Sequence, residues 1–264
     1  MANYLVVGRG WVGHKMVKEL RSCDNDVKLV SHDDIFKERL TRYQTVINCA
    51  GVTGVPNVDA CEEYPYETYQ GNSLFPIKLY EFCQSSRWPH YIKLVHFSSG
   101  CIYKGNVEDV NADPNYFGSA YSTSKGISDS YLRDKHNVMV IRIRMPFSGE
   151  DEPKNLLTKL TNYAKCGKLY DSGFNSITDI DQAVSVSCEL LKQNFSGVVN
   201  LVNQGVITTK EIVELMGIDG EWYTEEEFKQ NTVADRSVCT IPSHPMMGDV
   251  RERLNLAIKQ MENK

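Results

Sequence analysis

The sequence predicts an α/β protein: a doubly wound parallel sheet followed by a smaller C-terminal lobe. Three observations predict it. Short β-branched runs alternate with stretches of helical apolar spacing from residue 3 to residue 143. A glycine cluster, Gly8-Arg9-Gly10-Trp11-Val12-Gly13, separates the first run from the first helical stretch. The alternation then breaks after Met145-Pro146. Strands that alternate with helices require crossover connections, which cover both faces of a parallel sheet. The arrangement expected is therefore of the Rossmann type.

Asn3 to Gly8 (NYLVVG) reads as the first strand and Trp11 to Leu20 as the helix after it. Val27 to Val30 is the second strand, Asp33 to Leu40 a polar helix, and Thr45 to Ala50 the third strand. A helix from Tyr66 to Gln84, a strand from Tyr91 to Ser98, a helix from Ser119 to Lys135 and a strand from Val138 to Ile143 continue the pattern. Beyond Pro146 the expected helices are Asn155 to Ala164, one opened by Asp179 or Asp181, Thr208 to Leu215, and Asp249 to Met261. One further strand, Val198 to Val202, lies among them, and Leu169 to Ile177 shows little periodicity. The predicted division is residues 1–148 as a dinucleotide-binding domain and 149–264 as mainly a substrate-binding lobe, partly interleaved with the first.

A chain of 264 residues can bury a sizeable core, so no disulfide framework or structural metal is needed to hold it. A net charge of -5 leaves no basic field for a polyanion, so nucleic acid is not an expected partner. The eight cysteines, Cys23, Cys49, Cys61, Cys83, Cys101, Cys166, Cys188 and Cys239, include no C-x-x-C pair; they read as reduced thiols, with no metal site. No leader-like segment and no apolar run of about 18 residues is visible, so a cytoplasmic protein that does not span a membrane is expected.

Gly8, Gly10 and Gly13 fit G-x-G-x-x-G in the context that gives the pattern meaning, between a strand and a helix. Glycine allows the tight turn and a close backbone approach to a pyrophosphate, and the helix N-terminus faces its charge. The second strand ends Val30-Ser31-His32-Asp33. Asp33 is a candidate for the ribose hydroxyls of NAD, while Ser31 with Asp34 equally resembles a capping box. Arg9 is a planar donor for a 2′-phosphate, which favours NADPH, with NADH as the alternative.

Tyr121 and Lys125 stand four apart, on one face of a predicted helix. Ser98 and Ser99 end a predicted strand at the sheet edge where ligands bind. A phenol is a weak acid or base near pH 7 unless a neighbouring ammonium favours its phenolate. A serine hydroxyl then donates to the same carbonyl oxygen. The plainer reading, a packed tyrosine beside a solvated lysine, is countered by the glycine turn upstream.

Together these features resemble the extended short-chain dehydrogenase/reductases over nearly the whole chain. Asn48-Cys49-Ala50-Gly51 is similar to that family's N-x-A-G segment, which lines the cofactor, and Thr178-Asp179-Ile180-Asp181 to its aspartate segment, where helix capping is the ordinary role. Asn48 to Glu62, Ser99 to Tyr103 (SGCIY), Arg142 to Pro146 (RIRMP) and Leu201 to Thr208 (LVNQGVIT) resemble more narrowly the bifunctional nucleotide-sugar 3,5-epimerase/4-reductases. That resemblance implies inversion of UDP-4-keto-6-deoxy-D-glucose at C3 and C5 and reduction at C4 with NADPH, giving UDP-L-rhamnose. It implies Tyr121 as proton donor, Lys125 on the cofactor ribose, Ser99 on the ketone, and Cys101 and Lys159 as the epimerisation pair. From the residues alone the last two are an ordinary buried thiol and a helical lysine. Arg144, Arg236 and Gly100 join Ser99 and Cys101 as candidate contacts for a sugar diphosphate, and a homodimer is compatible with the resemblance.

The glycine turn is one residue shorter than the family's G-R-x-G-W-x-G, which bears on the role of Arg9. The Asn106 to Asn115 loop between Cys101 and Tyr121 is also short and acidic. Two other functions fit the same motifs: another nucleotide-sugar reductase, 4-epimerase or dehydratase, and a non-catalytic NADP-binding regulatory subunit.

Overall fold

The computed structural model describes residues 2–85 and 87–263. The chain opens with β1 (Asn3–Val7), α1 (Trp11–Ser22), β2 (Asp26–Val30) and β3 (Thr45–Asn48). Helices α2 (Asp59–Glu63), α3 (Pro65–Tyr69) and α4 (Phe75–Cys83) lead to β4 (Lys93–Ser99), the two-residue β5 (Gly105–Asn106), α5 (Ala120–Leu132) and β6 (Val138–Ile143). Then come β7 (Pro146–Phe147), α6 (Leu156–Cys166), β8 (Lys168–Leu169), β9 (Thr178–Asp179), α7 (Ile180–Lys192) and β10 (Gly197–Asn200). The chain finishes with α8 (Thr209–Leu215), β11 (Glu221–Trp222), α9 (Glu225–Asn231), β12 (Cys239–Thr240) and α10 (Val250–Glu262).

Six parallel strands form the central sheet in the order β10-β6-β4-β3-β1-β2. The order reverses between β1 and β3, so the crossovers from β1 and from β3 run to opposite sides and leave a crevice at the strands' C-terminal ends. One apolar cluster packs α1 and α7 onto the sheet through Met16, Leu20, Val6, Ile47, Val95 and Ile180; a second, with Leu5, Val7, Leu79 and Leu94, covers the other face. A third cluster is built by later residues, among them Phe147, Leu157, Leu169, Ile212 and Leu254. The later half of the chain is thus divided: β10 joins the sheet and α7 covers it, Cys239 and Ile241 pack with Ile102 and Tyr103 after β4, and most of the rest packs about the third cluster. No helix of the described residues is long and apolar enough to cross a membrane.

Two expected elements differ. In place of a helix over Asp33 to Leu40 there are two 3₁₀ turns, Ile35–Lys37 and Leu40–Arg42. The buried side chains there are Ile35, Leu40 and Tyr43; on an α-helix, at 100° per residue, Ile35 and Leu40 would sit about 140° apart, so one face could not bury both. The single helix expected over Tyr66 to Gln84 is interrupted by a π-turn, Gln70–Leu74, just before Pro76, which has no N–H to continue the ladder. The turn presents buried Asn72 toward the loop after β3. Helices α2 and α9 lie outside the sequence-based expectation: α2 buries only Cys61 and α9 buries no residue, so neither writes an apolar stripe.

Candidate active site

The glycine turn joins β1 to α1 at the sheet crevice. Gly8 has φ +107°, and a Cβ there would lie 2.7 Å from the Ala50 nitrogen. A Cβ on Gly13 would come within 1.9 Å of the Gly8 carbonyl oxygen, whereas one on Gly10 would meet nothing within 4 Å. The outer glycines are therefore demanded by packing, and the middle one faces open space at the uncapped N-terminus of α1. That is a cradle fitted to a pyrophosphate. Trp11 donates its indole N–H to Glu150, and Lys15, one turn further on, pairs with Glu150 and Asp181, tying α1 to the later half of the chain. Partly exposed Val12 packs against the first apolar cluster.

At the end of β2, Ser31 donates to the Asp34 carboxylate at 2.7 Å, but neither side chain caps the following turn, so the capping box is not formed. Ser31 and Lys37, with a smaller contribution from Arg9, hold the Asp34 carboxyl below its ordinary range. Arg9, in the glycine turn, is exposed. Asp33 is exposed too, with only His32 beside it at 3.3 Å.

The segment after β3 is held from below. Buried Asn48 accepts from the Ala50 N–H at 3.0 Å, and its amide nitrogen meets His96 Nδ1 at 3.0 Å. Asn72 receives the Val52 N–H and returns a bond to the Val52 carbonyl, both at 2.8 Å. Sequence reasoning missed Asn72 and His96; an asparagine in a helix and a histidine in a strand give no signal until the fold brings them under the loop. Gly51 leaves room for Lys125, whose Nζ would lie 2.9 Å from a Cβ there.

Tyr121 and Lys125 lie on the first turns of α5, which is capped by Ser119 accepting from the Ser122 N–H. Lys125 is 5% exposed, and its ammonium makes one long hydrogen bond, 3.4 Å, to the Phe97 carbonyl. Burial pushes its pKa down to about 8, against the pull of Asp129. Burial raises the Tyr121 phenol, the Cys101 side chain adds to that, and the Ser99 hydroxyl opposes it. Burial is thus the chief influence on the phenol, ahead of the neighbouring side chains. Ser99 accepts from the Cys101 N–H at 3.1 Å and so fixes the 3₁₀ turn that carries the thiol.

Tyr121, Cys101, Lys159, Arg144 and Arg236 all line one cavity of about 570 Å³ between the strand ends and the later residues. Lys159 stands on α6, whose first turn is capped by the buried Asn155 side chain. Burial lowers its pKa, and Lys154 and Arg236 lower it further. Arg144, 2% exposed, gives its guanidinium to the Cys101 sulfur at 3.2 Å, Asn175 at 2.5 Å and the Ser237 carbonyl at 2.6 Å. Its fork is therefore taken up by protein atoms, and it positions Cys101 rather than offering itself to a diphosphate. Arg236 pairs with Asp59 at 2.7 Å, while its other terminal nitrogen is buried without a hydrogen-bond partner. Asp59 also receives the N–H groups of Val233 and Ala234, so it anchors the loop carrying Arg236. Gly100 lies buried, where a Cβ would crowd Ile241 and Arg144. Asp179 caps α7 and pairs with Arg253, away from these groups.

A model of the NAD dependent epimerase/dehydratase family matches residues 4–173. A trifunctional UDP-glucose 4,6-dehydratase/UDP-4-keto-6-deoxy-D-glucose 3,5-epimerase/UDP-4-keto-L-rhamnose-reductase of Arabidopsis thaliana is 33% identical over 96% of this chain; the chain spans 40% of that protein's length. A bifunctional dTDP-4-dehydrorhamnose 3,5-epimerase/dTDP-4-dehydrorhamnose reductase of the same plant is 30% identical, covering 89% of this chain and 83% of its own. Among solved structures, a UDP-rhamnose synthase from Acanthamoeba polyphaga mimivirus superposes with a TM-score of 0.86 at 23% identity, covering 99% of this chain and 100% of that one.

Proposed function

The chain belongs to the NAD dependent epimerase/dehydratase family, and from that premise we propose that it binds NADPH and converts UDP-4-keto-6-deoxy-D-glucose to UDP-L-rhamnose. The observation that carries the reading is the single cavity that holds Tyr121, Cys101 and Lys159 together. A reductase alone needs only the phenol; a thiol and a desolvated amine beside it are the added groups that inversion at two carbons requires. The similarity to the two plant enzymes supports the same choice.

The residues from Gly8 to Gly13 and from Asn48 to Gly51 would hold the dinucleotide, with the pyrophosphate over Gly10 and Lys125 on the ribose. Arg9 would be the donor to a 2′-phosphate. When bound, the nicotinamide supplies hydride for C4.

The 4-ketone acidifies the hydrogens at C3 and C5, so a base can remove each as a proton and an acid can return one to the opposite face. Cys101 and Lys159 fill those two roles. The thiol is fixed by Arg144 and the turn after β4, and the amine is held on α6 with its proton loosened by burial. For reduction, Ser99 donates to the ketone oxygen, and Tyr121, kept protonated by its buried setting, gives its proton to the alkoxide that forms at C4. Lys125 would hold the ribose and carry the proton that replaces the one Tyr121 gives up.

Incubation with UDP-4-keto-6-deoxyglucose and NADPH in deuterium oxide tests the proposal. NMR should identify UDP-L-rhamnose labelled at C3 and C5, with one NADPH oxidised per sugar. Tyr121→Phe should stop NADPH oxidation and leave label uptake intact. Cofactor binding without any sugar conversion would sink the enzymatic reading and leave the regulatory one. Conversion without label at C3 or C5 would reduce the protein to a reductase.

A further inference from the structure

We propose that Tyr170, Tyr223 and Phe228 form the platform on which the nucleobase of the substrate stacks, at the end of the cavity away from Cys101. The proposal rests on the reading that the substrate is a nucleotide sugar. The three rings line the same cavity as the reacting groups. Tyr170 and Phe228 lie face to face with ring centroids 3.7 Å apart and planes 4° apart, and Tyr223 approaches Phe228 at 6.1 Å. Parallel rings at that spacing make a surface that a further flat aromatic group extends, whichever base it is.

Two walls of the cavity run from this platform to the reacting end. Helix α6 places Leu156, Lys159, Leu160, Tyr163 and Cys166 along it at spacings of three and four residues, which is one helical stripe. Lys159 and Cys166 are about 10 Å apart along that stripe at 1.5 Å per residue, and β8 carries the chain on to Tyr170. The opposite wall starts at Phe228 on α9 and passes Arg236 to Ser237, which touches Arg144, itself in contact with Cys101. A hexose at Cys101 and Lys159 thus leaves its diphosphate beside the unpartnered Arg236 nitrogen and its base at the three rings. Helix α9 has no buried residue, so the ring of Phe228 is not a core side chain.

Calorimetric titration of the full chain with UDP, dTDP and inorganic pyrophosphate tests the platform. Wild type should bind both nucleoside diphosphates more tightly than pyrophosphate. Phe228→Ala and Tyr170→Ala should weaken UDP and dTDP by about 5- to 150-fold, the range for losing one base–aromatic stack. Pyrophosphate affinity should not change, and Phe228→Tyr should restore nucleotide binding. A wild type that binds neither nucleotide, alanine variants that bind UDP normally, or equal losses for pyrophosphate would each overturn the platform. The expected binding pattern with no turnover of the keto sugar would leave the platform standing and remove the proposed reaction. Turnover with an unchanged KM in both alanine variants would do the reverse.

Discussion

Replacing Lys125 with methionine should stabilise the cofactor-free protein by about 3 kcal/mol at pH 7 and by only about 1 kcal/mol at pH 10. The lysine is 5% exposed, its ammonium has one hydrogen bond of 3.4 Å, and burial depresses its pKa from 10.5 to about 8. A depressed lysine pKa means that the charged form is penalised in the folded state. The penalty is complete below pH 8, where the folded chain must carry the charge, and it fades between pH 8 and 10.5, where the folded lysine is neutral and the unfolded one still holds its proton. Over that window the unfolded chain binds more protons, so wild-type stability rises with pH. The drop of about 2.5 pKa units, at 1.36 kcal/mol per unit, sets the size at neutral pH. Methionine keeps the unbranched apolar stem and has no charge to desolvate. Urea unfolding of both proteins at pH 7, 9 and 10 measures the difference. A methionine variant less stable than wild type at pH 7, or a gap that does not narrow with pH, would refute the reasoning. The same variant should lose reductase activity, the stability cost being characteristic of a group held for function.

Gly13→Ala should destabilise the protein and abolish NADPH binding, because its Cβ would fall 1.9 Å from a backbone oxygen; Gly10→Ala, with nothing within 4 Å, should melt as wild type does and lose cofactor affinity alone. Thermal melts and cofactor titration of the pair check this, and equal melting temperatures for both variants would contradict it. Asp129→Ala should cost about 3–5 kcal/mol in denaturant unfolding, since Asp129 and Arg142 are both 0% exposed and the carboxylate accepts two bonds from the guanidinium and one from Ser98. A loss below about 1 kcal/mol would show that water reaches the arginine. Cys101→Ala should suppress deuterium uptake at C3 and C5 before it affects NADPH oxidation with a pre-epimerised 4-keto-L-rhamnose substrate; unchanged uptake would return the thiol to a packing role.

By itself the sequence determined the alternating architecture, since burial on two sheet faces writes apolar runs and helical stripes that are legible one element at a time. Local chemistry was legible in the same way. The steric need for Gly13, the four-residue step from Tyr121 to Lys125, and the asparagine and aspartate caps on α6 and α7 all depend on neighbours close in the chain, whereas Gly8 is demanded by Ala50, brought against it from the end of β3. The pairing of Cys101 with Lys159 could be named only through resemblance, because nothing near either residue marks it. Long-range contacts decided the rest. Arg144 looked like a free phosphate ligand until Asn175 and Ser237, 31 and 93 residues away, took up its guanidinium. Asn72 and His96 gained their roles from a π-turn and a strand that meet under the loop after β3. The three rings of the platform come from two separate segments that only folding brings to one wall. Desolvation is likewise a property of the assembled fold: the charge states of Tyr121, Lys125 and Lys159 follow from the atoms that surround them, and those atoms come from distant parts of the chain.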